Sequence, residues 1–204
     1  MKRGKFITLY GVNTIGKTTH AKRLVRNLRV SGLKAKYVKY PIYSLRPTGI
    51  FLNRVLRSSA PLSIPKKSHS PMSEEELQLW FALNRYQFES KLKQMLDQGI
   101  YVVAEDYCGT GIAWGISKGS NKKWLESINN YLMKEDIALF LSGKPCLESR
   151  EKSHIHEQSD ALMRKAEVVF ESLADEYGWN RIKVCSTPDE TEQLIWQLIK
   201  NLVT

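Results

Sequence analysis

Two textures of apolar residues alternate along this chain. The run at residues 5–10, KFITLY, is short and rich in β-formers, and Ala21, Leu24, Val25 and Leu28 then recur at helical spacing. The segment reads as strand, glycine-bearing loop, helix. That helix is expected to stop at Ser31-Gly32, and residues 35–40 return as a second strand. A β-α-β start of this kind requires a parallel sheet. Residues 100–104 and 137–141 are continuous apolar runs, as expected of strands buried on both faces, and residues 181–184 form a weaker fifth strand.

Between these strands the pattern predicts helices. A short one is expected over residues 50–57, followed by a proline-bearing exposed loop at 58–71. Ser73 with Glu76 three residues on forms a capping box. From there Leu77, Trp80, Phe81, Phe88, Leu92, Met95 and Leu96 carry the longest predicted helix to Gly99. After the fourth strand, residues 144–160 are polar and rich in Lys, Arg, His and Glu, which marks a lid-like insertion, here bounded at 144–158. An amphipathic helix follows over 161–177, and Thr187, Pro188 and Glu190 announce a final helix to residue 202.

Length and charge narrow the classes. At 204 residues the chain suits a single domain over 1–204. No apolar run is long enough for a membrane-spanning helix or the core of a signal peptide. Three cysteines at wide spacings, Cys108, Cys146 and Cys185, support neither a disulfide framework nor a metal site, so a reducing cytoplasm is the expected compartment. A net charge of +10 favours polyanionic partners, from nucleotides to nonspecific contact with nucleic acid.

The chemistry concentrates first at Gly11-Val12-Asn13-Thr14-Ile15-Gly16-Lys17-Thr18-Thr19, which matches the phosphate-binding P-loop pattern and lies between a predicted strand and helix. The glycines let backbone N–H groups turn toward phosphate oxygens, and the helix N-terminus adds its dipole. Lys17 is expected to reach the β and γ phosphates of ATP, and the Thr18 hydroxyl to ligate Mg²⁺. Gly11 and residues 13–19 thus form the expected ATP site. Small size, five strands and a polar insertion favour an α/β P-loop kinase fold, a five-stranded parallel sheet flanked by helices with a small lid, by analogy of fold.

A second motif makes a family visible. Trp80-Phe81-Ala82-Leu83-Asn84-Arg85-Tyr86 contains Phe-x-x-Asn-Arg, and Phe81 and Arg85, four apart, share a helix face on which they could hold one planar base. The third strand runs into Glu105-Asp106-Tyr107-Cys108-Gly109-Thr110-Gly111-Ile112-Ala113-Trp114, and Tyr40-Pro41 ends the second. Together these resemble the thymidylate kinase family, a match touching most of the chain from residue 5 to about 160. The resemblance implies phosphorylation of a nucleoside monophosphate, dTMP first, by ATP with Mg²⁺, and a homodimer. It assigns the base to Phe81 and Arg85, and the acceptor also to Asn13, Tyr43, Arg46, Trp114 and a Thr110-Gly111 loop. Glu105 would join Thr18 at the metal.

The sequence departs from the family at three places. Asn13 stands for an aspartate, Asp106 for an arginine near the acceptor phosphate, and Tyr43 for another arginine, with Arg46 in the same loop as a substitute. Phosphoryl transfer needs positioning and positive charge. Beyond Lys17, the lid offers Lys144, Arg150, Lys152, His154 and His156, of which Arg150 has the planar, permanently charged fork best suited to phosphate. Two alternatives stay open. In a nucleoside kinase, Glu105 or Asp106 would act as general base toward a 5′-hydroxyl. In a nucleotide-binding protein without turnover, the P-loop would be retained for binding alone.

Overall fold

The computed structural model describes residues 2–57, 72–143 and 160–203. The expected lid at 144–158 with Arg150, and the expected loop at 58–71, lie outside the described residues. Among the described residues five strands form one sheet in the order β2-β3-β1-β4-β5, every pair parallel. They are β1 (Phe6–Tyr10), β2 (Ala35–Lys39), β3 (Tyr101–Glu105), β4 (Ile137–Ser142) and β5 (Asn180–Lys183). The three inner strands β1, β3 and β4 are the continuous apolar runs, and their residues are buried throughout except Ser142. Helices on both faces leave such strands no polar side to show.

Register decides what meets at the carboxyl edge. Leu9 pairs with Glu105 and Tyr10 with Phe140, so β1, β3 and β4 end at one level. Ligands in open α/β sheets bind outside these strand ends. The helices are α1 (Lys17–Val30), α2 (Thr48–Arg57), α3 (Glu74–Asp97), α4 (Cys108–Ser117), α5 (Lys122–Ser127), α6 (Asp160–Tyr177) and α7 (Pro188–Val203). Both predicted caps form: Ser73 Oγ accepts from Glu76 N at 3.1 Å while Glu76 Oε2 accepts from Ser73 N at 2.8 Å, and Thr187 and Glu190 reciprocate at the start of α7.

The hydrophobic pattern misses α4 and α5, and the expected Thr110-Gly111 loop is in fact the first turn of α4. The reason is physical. α4 is buried on nearly all sides, so it has no polar stripe to give a 3.6 period. It also carries glycines, which lower helix propensity, because neighbours press against its backbone. A Cβ on Gly109 would lie 2.6 and 2.7 Å from the Trp179 ring and 3.0 Å from Tyr10, and one on Gly115 would lie 2.7 Å from Leu125. Trp179 is itself stacked on Tyr10 with ring centroids 4.3 Å apart. Gly109→Ala is therefore expected to destabilise the fold by about 1–3 kcal/mol, the scale of overpacking, read as a lower urea midpoint. An unchanged midpoint would contradict this packing.

Candidate active site

The chain leaves β1 through residues 11–16, with Gly11 at φ 138°, Thr14 at φ 63° and Gly16 at φ 99°. A β-branched residue in the left-handed region is strained, a feature that clusters at ligand-binding loops. Gly16 caps α1 without a side-chain hydrogen bond, and no acidic residue stands in the first turn. The first N–H groups of α1 thus have no side-chain cap at Gly16, and with the helix dipole they favour an anion.

Lys17 is buried at 5% exposure, its Nζ donating to the carbonyls of Gly11 at 2.8 Å and Val12 at 2.9 Å, with Asp106 Oδ1 at 3.6 Å. Thr18 Oγ1 donates to Glu105 Oε1 at 2.7 Å. Two residues of β2 complete this cluster: Tyr37 donates its hydroxyl to Glu105 Oε2, and Lys39 Nζ lies 2.9 Å from Glu105 Oε1. No sequence motif marks either Tyr37 or Lys39. The one signal for Lys39 is its place as the last residue of a strand at the carboxyl edge.

Electrostatics separate the two acids. Burial would raise the Glu105 carboxyl, but Lys39 and hydrogen bonds from Tyr37, Lys39 and Thr18 outweigh it and hold the group below its ordinary range. Burial and the neighbouring Glu105 charge raise Asp106 above its ordinary range, against the pull of Lys17 and of Thr110, whose Oγ1 donates to Asp106 Oδ1 at 2.9 Å. Asp106 adopts φ 62° at the turn from β3 into α4, a conformation that aspartate tolerates better than most residues.

A cavity of about 320 Å³ runs from this cluster to α3. Asn13, Thr14, Gly16, Lys17, Thr18 and Thr19 line one end, with Glu105 and Asp106 beside them. Tyr43, Phe81, Arg85, Thr110, Gly111 and Trp114 line the other. Gly11 and Ile15 do not reach it; Ile15 is packed into the core behind the loop. Arg46, expected as a substitute for the missing arginine, is not among the residues that line it. Its carbonyl accepts from Gln87 Nε2 where the chain turns into α2, and Tyr43, earlier in that loop, lines the cavity instead. Among the described lining the basic residues are Lys17, Lys39 and Arg85.

The α3 end is rigidly held. Asn84, fully buried, accepts from Ile42 N at 2.7 Å and donates to Ile42 O and Thr48 Oγ1, so the asparagine of Phe-x-x-Asn-Arg fixes the loop carrying Tyr43. Arg85 donates from Nη1 to Asn129 Oδ1 at 2.6 Å, and Asn129 Nδ2 in turn donates to Leu125 O at 2.7 Å. Gln78 also lines the cavity, and it lies outside the motif that points to Phe81 and Arg85. Its position three residues before Phe81, on the same helical face, is the signal that could have found it.

Loop, strand-end acids and a cavity that reaches from them to α3 define the class: a P-loop kinase of small molecules. The thymidylate kinase family model matches residues 9–195. The chain is similar to the thymidylate kinase of Danio rerio, 26% identical over 208 residues covering 100% of this chain and 93% of that one. It is also similar to the thymidylate kinase of Plasmodium falciparum, 32% identical over 147 residues covering 71% of this chain and 64% of that one. The solved structure of thymidylate kinase from Candida albicans superposes with a TM-score of 0.75 at 24% identity, covering 98% of this chain and 92% of that one, which shows the fold.

The chain therefore belongs to the thymidylate kinase family. It is a nucleoside monophosphate kinase, a transferase. No helix among the described residues is long and apolar enough to cross a membrane.

Gly111 gives the α3 end its test. A Cβ there would lie 2.4 Å from Arg85 Nη2, so Gly111→Ala must displace a guanidinium that Asn129 holds. The expected result is an acceptor KM raised about tenfold or more, the scale of a displaced charged hydrogen bond, with ATP KM unchanged in steady-state kinetics. Equal effects on both constants would contradict a separate acceptor end.

Proposed function

We propose that the protein transfers the γ-phosphoryl group of ATP to dTMP, giving dTDP. The observation that carries this reading is the cavity joining the Lys17 loop to the Phe81 and Arg85 pair. Its two ends suit the phosphates of a nucleotide and a planar base respectively. Phe81 offers a ring face for stacking and Arg85 a fixed donor for a base carbonyl.

The residues present fit ATP and Mg²⁺. The Thr18 hydroxyl and the Glu105 carboxylate are adjacent oxygen donors, and a magnesium ion bound with substrate phosphates needs only one or two protein carboxylates. Thr18 and Glu105 would hold the ion, which when bound neutralises phosphate charge. Glu105, kept ionised by Lys39, is suited to that task. Nucleotide phosphates offer Lys17 stronger acceptors than the carbonyls of Gly11 and Val12. Lys39, which lines the cavity beside Glu105, is the proposed counter-charge where the family has an arginine and this chain has Asp106. Arg150 in the lid is the proposed further cation toward the transferring group.

Phosphorus NMR of a reaction of ATP, Mg²⁺ and dTMP tests the proposal. dTDP and ADP should appear in equal amounts, and Lys17→Ala should lower turnover by about a hundredfold or more, the scale of lost electrostatic stabilisation in the transition state. Phosphorylation of thymidine but not of dTMP would overturn it.

A further inference from the structure

The amide of Gln78 has a fixed orientation. Its side chain is 2% exposed, and its Nε2 donates to Glu74 Oε1 at 2.7 Å. A carboxylate accepts and does not donate, so this contact forces the amide nitrogen toward Glu74 and leaves Oε1 as the free end. Glu74 is itself held: its Oε2 accepts from Lys118 Nζ at 2.7 Å, and both side chains are largely buried. Lys118 is thus spent on Glu74 and does not line the cavity.

The free end lies near Arg85. A methyl carbon placed on Gly111 would lie 3.0 Å from Gln78 Oε1 and 2.4 Å from Arg85 Nη2. The acceptor and the donor therefore stand side by side, no farther apart than the sum of those distances. Arg85 is oriented by Asn129 from behind, as Gln78 is by Glu74. Both residues line the cavity.

We infer that Gln78 Oε1 is a specificity-determining acceptor that reads the N3–H of a thymine or uracil base while Arg85 donates to O4. The inference rests on the dTMP reading above. A pyrimidine imide presents an acceptor and a donor in adjacent positions on this edge, and the Arg85–Gln78 pair is its complement. Cytosine presents the reverse, an N4 amino donor beside an N3 acceptor. Against cytosine, Arg85 would face a donor and Gln78 Oε1 a lone pair, leaving buried polar groups unpaired, which is how such sites reject near-isosteres. Glu74 and Lys118 are positioning residues. Without them the amide is free to turn its NH₂ toward the base, and the distinction weakens.

The test compares dTMP, dCMP and N3-methyl-dTMP in the wild-type enzyme and in Gln78→Met, with Glu74→Leu as the positioning variant. In the wild type, dTMP should be preferred over both others by about tenfold or more in kcat/KM, the scale of one unpaired buried hydrogen-bonding group. In Gln78→Met the preference for dTMP over N3-methyl-dTMP should collapse, with ATP KM unchanged. Glu74→Leu should raise dCMP use relative to dTMP. Should the wild type phosphorylate thymidine and not dTMP, the dTMP reading fails, and the same comparison with thymidine, deoxycytidine and N3-methylthymidine still decides the base contact. A wild type that uses the N3-methyl compound as well as its parent, or a Gln78→Met enzyme with unchanged base preference, would overturn the inference.

Discussion

Two carboxylates stand next to each other where β3 ends, and the site depends on keeping both there. Adjacent buried acids repel, so each needs its own counter-charge. Glu105 has Lys39 at 2.9 Å together with the hydroxyls of Thr18 and Tyr37, and Asp106 has Lys17 at 3.6 Å and the Thr110 hydroxyl. These contacts draw the end of β2, the phosphate loop, the end of β3 and the start of α4 onto one point. Parallel register makes that convergence possible, because Leu9 and Glu105 are paired at the same level.

The acid cluster also divides the labour of the cavity. Its loop end is electrostatic and built on backbone and lysines, whereas its α3 end presents a pair of polar groups, Gln78 and Arg85, each anchored from behind by a neutral or charged partner. α4 links the two. Its first turn carries Thr110, which binds Asp106, and Gly111, against which Arg85 lies. A glycine-rich helix buried on nearly all sides is a weak helix taken alone, and it is held by α3, α5 and α6 packed around it.

What the sequence discloses follows how local each signal is. The P-loop is contiguous, so its residues are legible from the chain alone, as are the five strands and the caps at Ser73 and Thr187. Phe81 and Arg85 are legible through helical spacing. α4 is hidden because burial on nearly every side erases periodicity, and Thr110 and Gly111 therefore read as a loop. Tyr37 and Lys39 escape because their meaning arises only when β2 pairs with β3, which brings Tyr37 to Glu105 across a sequence separation of 68. Arg46 is a natural substitute on charge alone, but chain direction after residue 41 brings Tyr43 to the cavity instead.

The acid pair is divided: Glu105 is held charged, while Asp106 is held less firmly so. The sign of the consequence is fixed. Glu105, with its folded value lowered, contributes stability that is present above its ordinary value and is lost as pH falls through the lower folded value. Asp106, raised, acts in the opposite sense, and its ionisation costs stability until pH falls through its folded value. A carbon-13 NMR titration of the carboxyl carbons in the nucleotide-free protein, assigned with Glu105→Gln and Asp106→Asn, reads this division at the two groups themselves. The expected shifts run in opposite directions, with Glu105 titrating below and Asp106 above the ordinary range of its carboxyl. A Glu105 carboxyl raised from its ordinary range, or an Asp106 carboxyl lowered from it, would contradict this division.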